Sequence, residues 1–219
     1  MNTTLLLLAD GRFPAGGHAH SSGLEAAVAA GRVVGLPEVE AFLRGRLSTA
    51  GPVAAAFAAA ACQGTSPSLL DAEFDARTPS PAARLASRRQ GRALVRAGRA
   101  TWPSPLYDQL PPHPDGCHQP IALGLTAAAA GLDPHQAALV AAYAVLTGPA
   151  SAAVRLLGLD PYQVQALLSR LAATCDEISA GAAAVAATAP PSDLPATTAP
   201  LADIHAETHA TWEVRLFAS

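Results

Sequence analysis

The 219-residue sequence contains no lysine, so all 14 of its basic residues are arginine. With 17 acidic residues the formal net charge is −3, which lacks the basic excess typical of nucleic-acid-binding proteins. We therefore expect no nucleic-acid partner. Aromatic residues make up only 5% of the chain and charged residues 14%, so the core must be built largely from small aliphatic side chains.

Cysteine is also scarce. Cys62, Cys117 and Cys175 lie far apart, form no CxxC pair and are odd in number, which favours a reduced cytoplasmic environment. The N-terminus lacks the basic region of a secretory signal, and its leucine run ends at Asp10, so we expect no cleaved signal peptide.

Catalytic patterns are missing as well. The sequence has no GxSxG, no Cys–His arrangement suited to a nucleophile, and no pair of carboxylates with helical support. We therefore expect that the protein is not an enzyme and has no cofactor.

Alanine dominates the hydrophobic half of the sequence, which predicts an all-α, single-domain bundle of closely packed helices. A capping residue followed by proline marks the predicted starts of four helices. These pairs are Ser66-Pro67, Ser80-Pro81, Asp133-Pro134 and Asp160-Pro161. With further starts at Ser22, Leu36-Pro37 and Gln119-Pro120, the sequence predicts about eight to ten helices.

The stretch from Gln136 to Arg155 is apolar and long enough to cross a membrane. Because Gly148-Pro149 interrupts it, we expect two buried helices here and no membrane partner.

Two proline-rich stretches, Thr101 to Gln119 and Pro190 to Pro200, are predicted to be mobile or bound by a partner. The second divides a helical domain, residues 1–190, from a linker and C-terminal tail, residues 191–219. Trp212 and Phe217 make this tail a predicted docking element.

The N-terminal segment LLLLADGRFPAGGHAHSSGLE joins an apolar run, a glycine-rich loop and a helix start. Ser22 and Glu25 have the spacing of a capping box, so a helix is predicted to begin near Gly23. His18 and His20 precede it. A metal or phosphate site is one interpretation, but two histidines without a third ligand or a lysine favour a structural or interface role.

Three other groups of residues can each be interpreted in two ways. His205 and His209, with Glu207 between them, are either a metal-binding pair or a helix face that contacts a partner. The loop residues His113, Cys117 and His118 suit nickel or zinc, although they also fit an ordinary proline-rich loop.

Arginines recur on one face of a predicted helix, at Arg84, Arg88, Arg92 and Arg96, together with Arg89 and Arg99. This row is either a docking surface, preferably for an acidic protein, or a set of ion pairs with acids elsewhere. Ser87, Gly91 and Gly98 on the same helix permit close approach of another helix.

The segment ADGRFPAGGHAHSSGLE resembles the N-terminal motif of the UreF family of urease accessory proteins, whose pattern runs Asp, Phe-Pro, Gly-Gly, Ala-His-Ser, Gly-Leu-Glu. The resemblance continues through ARLASRRQGRALVRAG, HQPIALGLTAAAAGL and SAAVRLLGLDPYQVQALL. It ends at the Arg215-Leu216-Phe217-Ala218-Ser219 terminus, which Glu207 and His209 precede, and so covers nearly the whole chain.

This resemblance implies an all-α, homodimeric chaperone that bridges urease accessory protein D (also called H) and the GTPase accessory protein G. The complex would deliver nickel to apo-urease in a GTP-dependent step. Alternatives within this framework are a regulator that activates the GTPase and, less favoured, a nickel carrier.

No catalytic, cofactor or metal site is expected. The residues expected to contact partners are His20, Ser21, Arg88, Arg92, Arg96, Glu207, His209, Arg215, Leu216 and Phe217.

Overall fold

A computed structural model describes residues 3–219, and within this range the chain forms ten α-helices and no β-strand. The helices are α1 (Thr3–Ala9), α2 (Leu24–Ala29), α3 (Leu36–Ser48), α4 (Ala50–Cys62), α5 (Pro67–Ala76), α6 (Pro81–Thr101), α7 (Gln119–Ala129), α8 (Pro134–Leu157), α9 (Pro161–Thr188) and α10 (Pro200–Ala210). Short 3-10 turns cover Gly17–Ala19, Pro105–Gln109 and Pro191–Asp193. The predicted all-α fold is confirmed.

Helix α4 lies at the centre of the bundle and packs against α7, α8 and α9. Its sequence carries no charge, and residues 55–61 are almost completely buried. Helices with small side chains can approach closely, as at Gly124 of α7, where an added Cβ would lie 2.3 Å from the Ala58 carbonyl oxygen. The scarcity of aromatic residues is thus matched by close helix packing.

Four helices begin where a capping residue followed by proline predicts a helix start. Helices α5, α6, α8 and α9 all begin at the proline that follows a capping residue. The Ser80 hydroxyl accepts from the Ala83 amide at 3.0 Å, and Asp133 forms a complete capping box with Gln136. The close approach predicted for α6 is confirmed, since a Cβ on Gly98 would lie 2.9 Å from the Thr126 hydroxyl of α7.

The predicted break at Gly148-Pro149 is wrong, because α8 continues through both residues to Leu157. Pro149 cannot donate its backbone nitrogen to the helix, but it is buried. Packing of α8 against α4 and α9 holds the helix together at this point.

Helix α8 is the one described helix that is long and apolar enough to cross a membrane. Of an apolar 18-residue stretch of this helix, 61% is buried inside the protein. Most of the apolar stretch of α8 therefore packs inside the bundle.

The two proline-rich stretches lie against the bundle. In the first, Tyr107 is buried and stands beside α6, where Arg99 lies over its ring. In the second, the Arg77 guanidinium donates to the backbone carbonyls of Pro191, Ser192, Leu194 and Pro195. These contacts position the C-terminal segment near α2 and α6, which α10 contacts.

Candidate functional site

The glycine-rich loop reaches α2 through an unusual backbone path. Gly16, Ser22 and Gly23 all have positive φ angles, of 76°, 55° and 90°. The predicted capping box of Ser22 and Glu25 is wrong, since the Glu25 amide donates to the hydroxyl of Ser21 at 3.2 Å. The left-handed turn at Ser22 and Gly23 places Ser21 at the start of the helix and leaves the Glu25 side chain for another role.

The C-terminal residues lie directly against this loop. The Ala218 amide donates to the Ala19 carbonyl at 2.7 Å, and the Ser21 amide donates to the Ser219 carbonyl at 2.6 Å. The Ser21 hydroxyl donates to the same Ser219 oxygen at 2.8 Å. We call this arrangement, formed by residues 19–25 and 209–219, the tail clasp. The tail clasp joins the N-terminal and C-terminal segments in which the sequence resembles the UreF family.

Glu25 is the central acceptor of the tail clasp. Its carboxylate accepts from His209 Nε2 at 2.8 Å, from the Leu216 amide at 2.8 Å and from the Phe217 amide at 3.1 Å. Burial by itself would raise the pKa of Glu25, but these hydrogen bonds outweigh it and lower the pKa below its ordinary value. The sequence pattern showed Glu25 only as a capping residue, and its contact with the tail required the fold.

His20 is buried and neutral. Its Nδ1 lies 2.7 Å from the Ser219 hydroxyl, and burial, with smaller effects from His18 and Arg89, lowers its pKa to about 4. His18 is exposed. Within residues 3–219 no group of three or more His, Cys, Asp or Glu residues is arranged to hold a metal ion.

The tail divides into a buried and an exposed part. Phe217 is buried, with the Arg155 guanidinium 4.7 Å from its ring centre. Leu216 is 64% exposed, Val214 is 86% exposed, and Arg215 lies at the surface between them. The tail clasp therefore presents these three side chains to solvent at a defined position.

Helix α10 is joined to α6 through Glu207. The Glu207 carboxylate accepts from the Ser80 hydroxyl and from the Ala82 amide at 2.9 Å, at the N-terminus of α6. These hydrogen bonds, with that from Ser80 as the larger effect, lower the pKa of Glu207. Because His209 is buried against Glu25, the two histidines of α10 do not form an open metal-binding pair.

The arginine row of α6 separates into two kinds of residue. Arg88 is buried, where it donates to Asp71 at 2.8 Å, to Asp75 at 2.9 Å and to the Gly116 carbonyl at 2.9 Å. The charge of Arg88 is thus neutralised by two acidic residues of α5. Arg88 offers no surface to a partner in this conformation.

The other arginines lie nearer to solvent. Arg92 and Arg96 are exposed, and so is Arg89. Arg92 donates to the Pro114 carbonyl at 3.3 Å, and Arg99 pairs with Asp108 at 2.9 Å. Arg89 and Arg96 make no ion pair with any residue in the described range. They form, with Arg92, the exposed arginine face.

The residues of the PHPDGCH loop point in different directions. His113 is exposed, whereas His118 is fully buried and contacts Asp75 at 3.1 Å. Burial is the main effect that raises the pKa of the Cys117 thiol to about 12. Within the described residues, His113, Cys117 and His118 do not belong to a group of three or more side chains that could hold a metal ion.

Sequence reasoning missed Asp71, Asp75 and Arg155 as supports of these surfaces. Asp71 and Asp75 stand four residues apart on α5, so their shared face was visible, but their partner was not. Arg155 carried no signal, because it meets Phe217 only through the fold.

Comparisons with known proteins agree on one family. The UreF family profile matches residues 35–172. The chain is 48% identical to the urease accessory protein UreF of Mycobacterium sp. (strain JLS) over 99% of this chain and 98% of that protein. It is 47% identical to the protein of the same name from Mycobacterium marinum, over 98% of this chain and 97% of that one. The chain therefore belongs to the UreF family of urease accessory proteins.

Proposed function

We propose that this chain is a non-catalytic chaperone of urease maturation in the cytoplasm. In this role it bridges accessory protein D (also called H) and the GTPase accessory protein G, and the complex inserts nickel into apo-urease at the cost of GTP. Family membership supports a role in urease assembly. The observation that carries the bridging role is the tail clasp, which holds exposed Val214, Arg215 and Leu216 in one place.

In this proposal the tail contacts protein D. Arg215 and Leu216 supply the contact, while buried Phe217 anchors the tail from inside. His20, Ser21 and His209 belong to the tail clasp, and Glu207 holds α10 on α6, so these four residues position the surface.

Co-purification with protein D tests this assignment. Full-length chain is expected to retain protein D, and a chain ending after Pro200 is expected to lose it. A sharper variant is Leu216→Asp, which changes an exposed side chain without removing the tail clasp. Leu69→Asp, at a residue of α5 that is 59% exposed, is the matched control. Retention of protein D by both the truncated chain and Leu216→Asp would contradict the assignment.

A second function, regulation of the GTPase, is favoured by the exposed arginine face. Arg92 and Arg96 are accessible for contact with accessory protein G, whereas Arg88 is not. GTP turnover by protein G should change on addition of the native chain and change less with Arg92→Ala or Arg96→Ala. Arg44→Ala, at an exposed arginine of α3, serves as control. Unchanged turnover and unchanged binding in both variants would dismiss the arginine face.

The chain is also proposed to act as a homodimer. A groove of about 660 Å³ beside α8 supports this, since half-exposed Tyr143 and partly exposed Phe13 and Leu168 line it. Light scattering after gel filtration measures the mass directly, and a monomer at micromolar concentration would contradict it. The nickel-carrier alternative requires nickel retained by the isolated chain and lost in His209→Ala.

A further inference from the structure

Arg46, in the last turn of α3, is a partly buried cation without a counter-charge. Its Nε is buried and has no hydrogen-bond partner, and its guanidinium makes no ion pair within residues 3–219. Arg88 offers the contrast, because its guanidinium is bound by two carboxylates. Buried polar atoms in proteins normally have a hydrogen-bond partner, so the unpaired Nε indicates a partner that is not part of the chain.

The charge of Arg46 persists at neutral pH. Burial lowers the pKa of Arg46 to about 10, and no acidic group among residues 3–219 opposes this effect. The side chain therefore stays protonated under physiological conditions. An anion that reached it would gain both a full charge and a forked pair of donors.

Arg46 lines a pocket of about 280 Å³ between the bundle and the C-terminal segment. Thr49 lies at the α3–α4 junction on one side, Arg77 at the end of α5, and Thr198 in the segment before α10. The Arg77 guanidinium already donates to Glu73 and to backbone carbonyls, so its donors are used. Arg46 is left as the cation with free donors at this pocket.

Ser219, whose backbone oxygen accepts from the Ser21 amide and hydroxyl, lines the pocket, and so does one acidic side chain, Asp203 of α10. Asp203 forms no ion pair with Arg46, and its pKa is raised, first by burial and then by the charge of Glu207. His209, a further titratable group of the lining, is bound to Glu25. Neither Asp203 nor His209 neutralises Arg46.

We propose that this pocket is a binding site for a small inorganic oxyanion of the phosphate type, with Arg46 as the residue that recognises it. The pocket lies near the lower end of the volumes of ligand sites, which suits a small anion. A bound anion would contact α3 on one side and the segment that precedes α10 on the other. Occupancy would therefore strengthen the attachment of the C-terminal segment to the bundle.

Thermal unfolding in phosphate and in chloride, at equal pH and ionic strength, tests the site with the full chain. The Tm of the native chain is expected to rise with phosphate and to saturate, because a ligand of the folded state stabilises it by mass action. Arg46→Gln should lose the saturable rise. Arg44→Gln, two residues away on an exposed part of α3, should keep it. Equal phosphate responses in the native chain and Arg46→Gln would overturn the proposal.

A second measurement covers the case in which Arg46→Gln does not fold. Equilibrium dialysis of phosphate with the native chain should give one site per chain, with at least tenfold weaker binding in Arg46→Lys, which keeps the charge but loses the fork. Asp203→Asn should tighten binding, since it removes a negative charge from the pocket. Absence of phosphate binding by the native chain, or equal binding by the native chain and Arg46→Lys, would show that the site is wrong. None of these readouts depends on proteins D or G.

Discussion

The tail clasp and the exposed arginine face of α6 both hold exposed side chains in fixed positions, but they do so through different contacts. In the tail clasp, exposed side chains are held by hydrogen bonds between segments nearly 200 residues apart, as in the His20 to Ser219 contact. In the arginine face, they are held by one continuous helix, and buried Arg88 joins that helix to α5. We therefore expect the first surface to open without unfolding of the bundle, and the second to be lost only when the bundle unfolds.

The largest expected effect comes from Arg88→Ala. This substitution leaves the buried Asp71 carboxylate without its cation, so we expect a loss of about 3–5 kcal/mol in the free energy of unfolding. Arg92→Ala, one helical turn away and exposed, is expected to change it by less than about 0.5 kcal/mol. Urea unfolding measures both. Similar losses in the two variants would contradict the distinction between the buried, ion-paired Arg88 and the exposed arginines of α6.

Phe217→Ala should act on the tail clasp alone. Loss of a buried aromatic ring costs about 3 kcal/mol at a packed site, and here it should appear as opening of the tail. Trypsin cleavage after Arg215 measures this opening, and its rate should rise while the urea midpoint of the bundle changes little. Leu216→Ala, at an exposed neighbour, is the control. A large shift of the midpoint in Phe217→Ala would mean that the tail clasp and bundle unfold together.

Glu25→Gln should have a smaller effect, of about 2 kcal/mol. The amide retains the shape of the carboxylate but loses its charge-assisted hydrogen bonds with His209 and the tail amides. Tail proteolysis should increase, as for Phe217→Ala. Glu213→Gln changes an exposed acid of the same tail and should have no effect. Equal proteolysis of Glu25→Gln and the native chain would exclude Glu25 as the central acceptor.

The smallest expected effect is the pH dependence of His20. Its pKa is lowered from 6.5 to about 4 in the folded chain, so between these pH values the unfolded state binds more protons. Stability should therefore fall as the pH decreases through this range, by up to about 1.4 kcal/mol per pH unit. The difference between urea midpoints at pH 7 and pH 5 should be smaller in His20→Gln. If the difference between the two midpoints were the same in His20→Gln and the native chain, His20 would not contribute to this pH dependence.

Much of the fold could be predicted, because helix starts depend on neighbours in sequence. The proline after Asp133 and Asp160 marked α8 and α9 correctly. The break assigned to Pro149 failed because core packing outweighed a local rule. The capping box at Ser22 failed for a related reason, since the Glu25 carboxylate met three donors from the tail.

The candidate site could be predicted only as a set of segments. The family-like pattern indicated that the loop with His20 and the tail with Phe217 both matter, but it did not show that they touch. It also grouped Arg88 with Arg92, because both occupy one helix face at four-residue spacing. Their difference depends on α5, whose position relative to α6 no local pattern specifies.

The sequence by itself determined the all-α class, the helix starts at a capping residue followed by proline, and the family, since caps, prolines and motif spacing act over a few residues. The tertiary structure decided which polar residues are buried and which face solvent. Glu25, Arg88 and Arg46 are all charged and all on helices, yet one binds the tail, one binds two acids and one has no partner in the described chain. These differences arise from contacts between distant segments, which only the folded chain brings together.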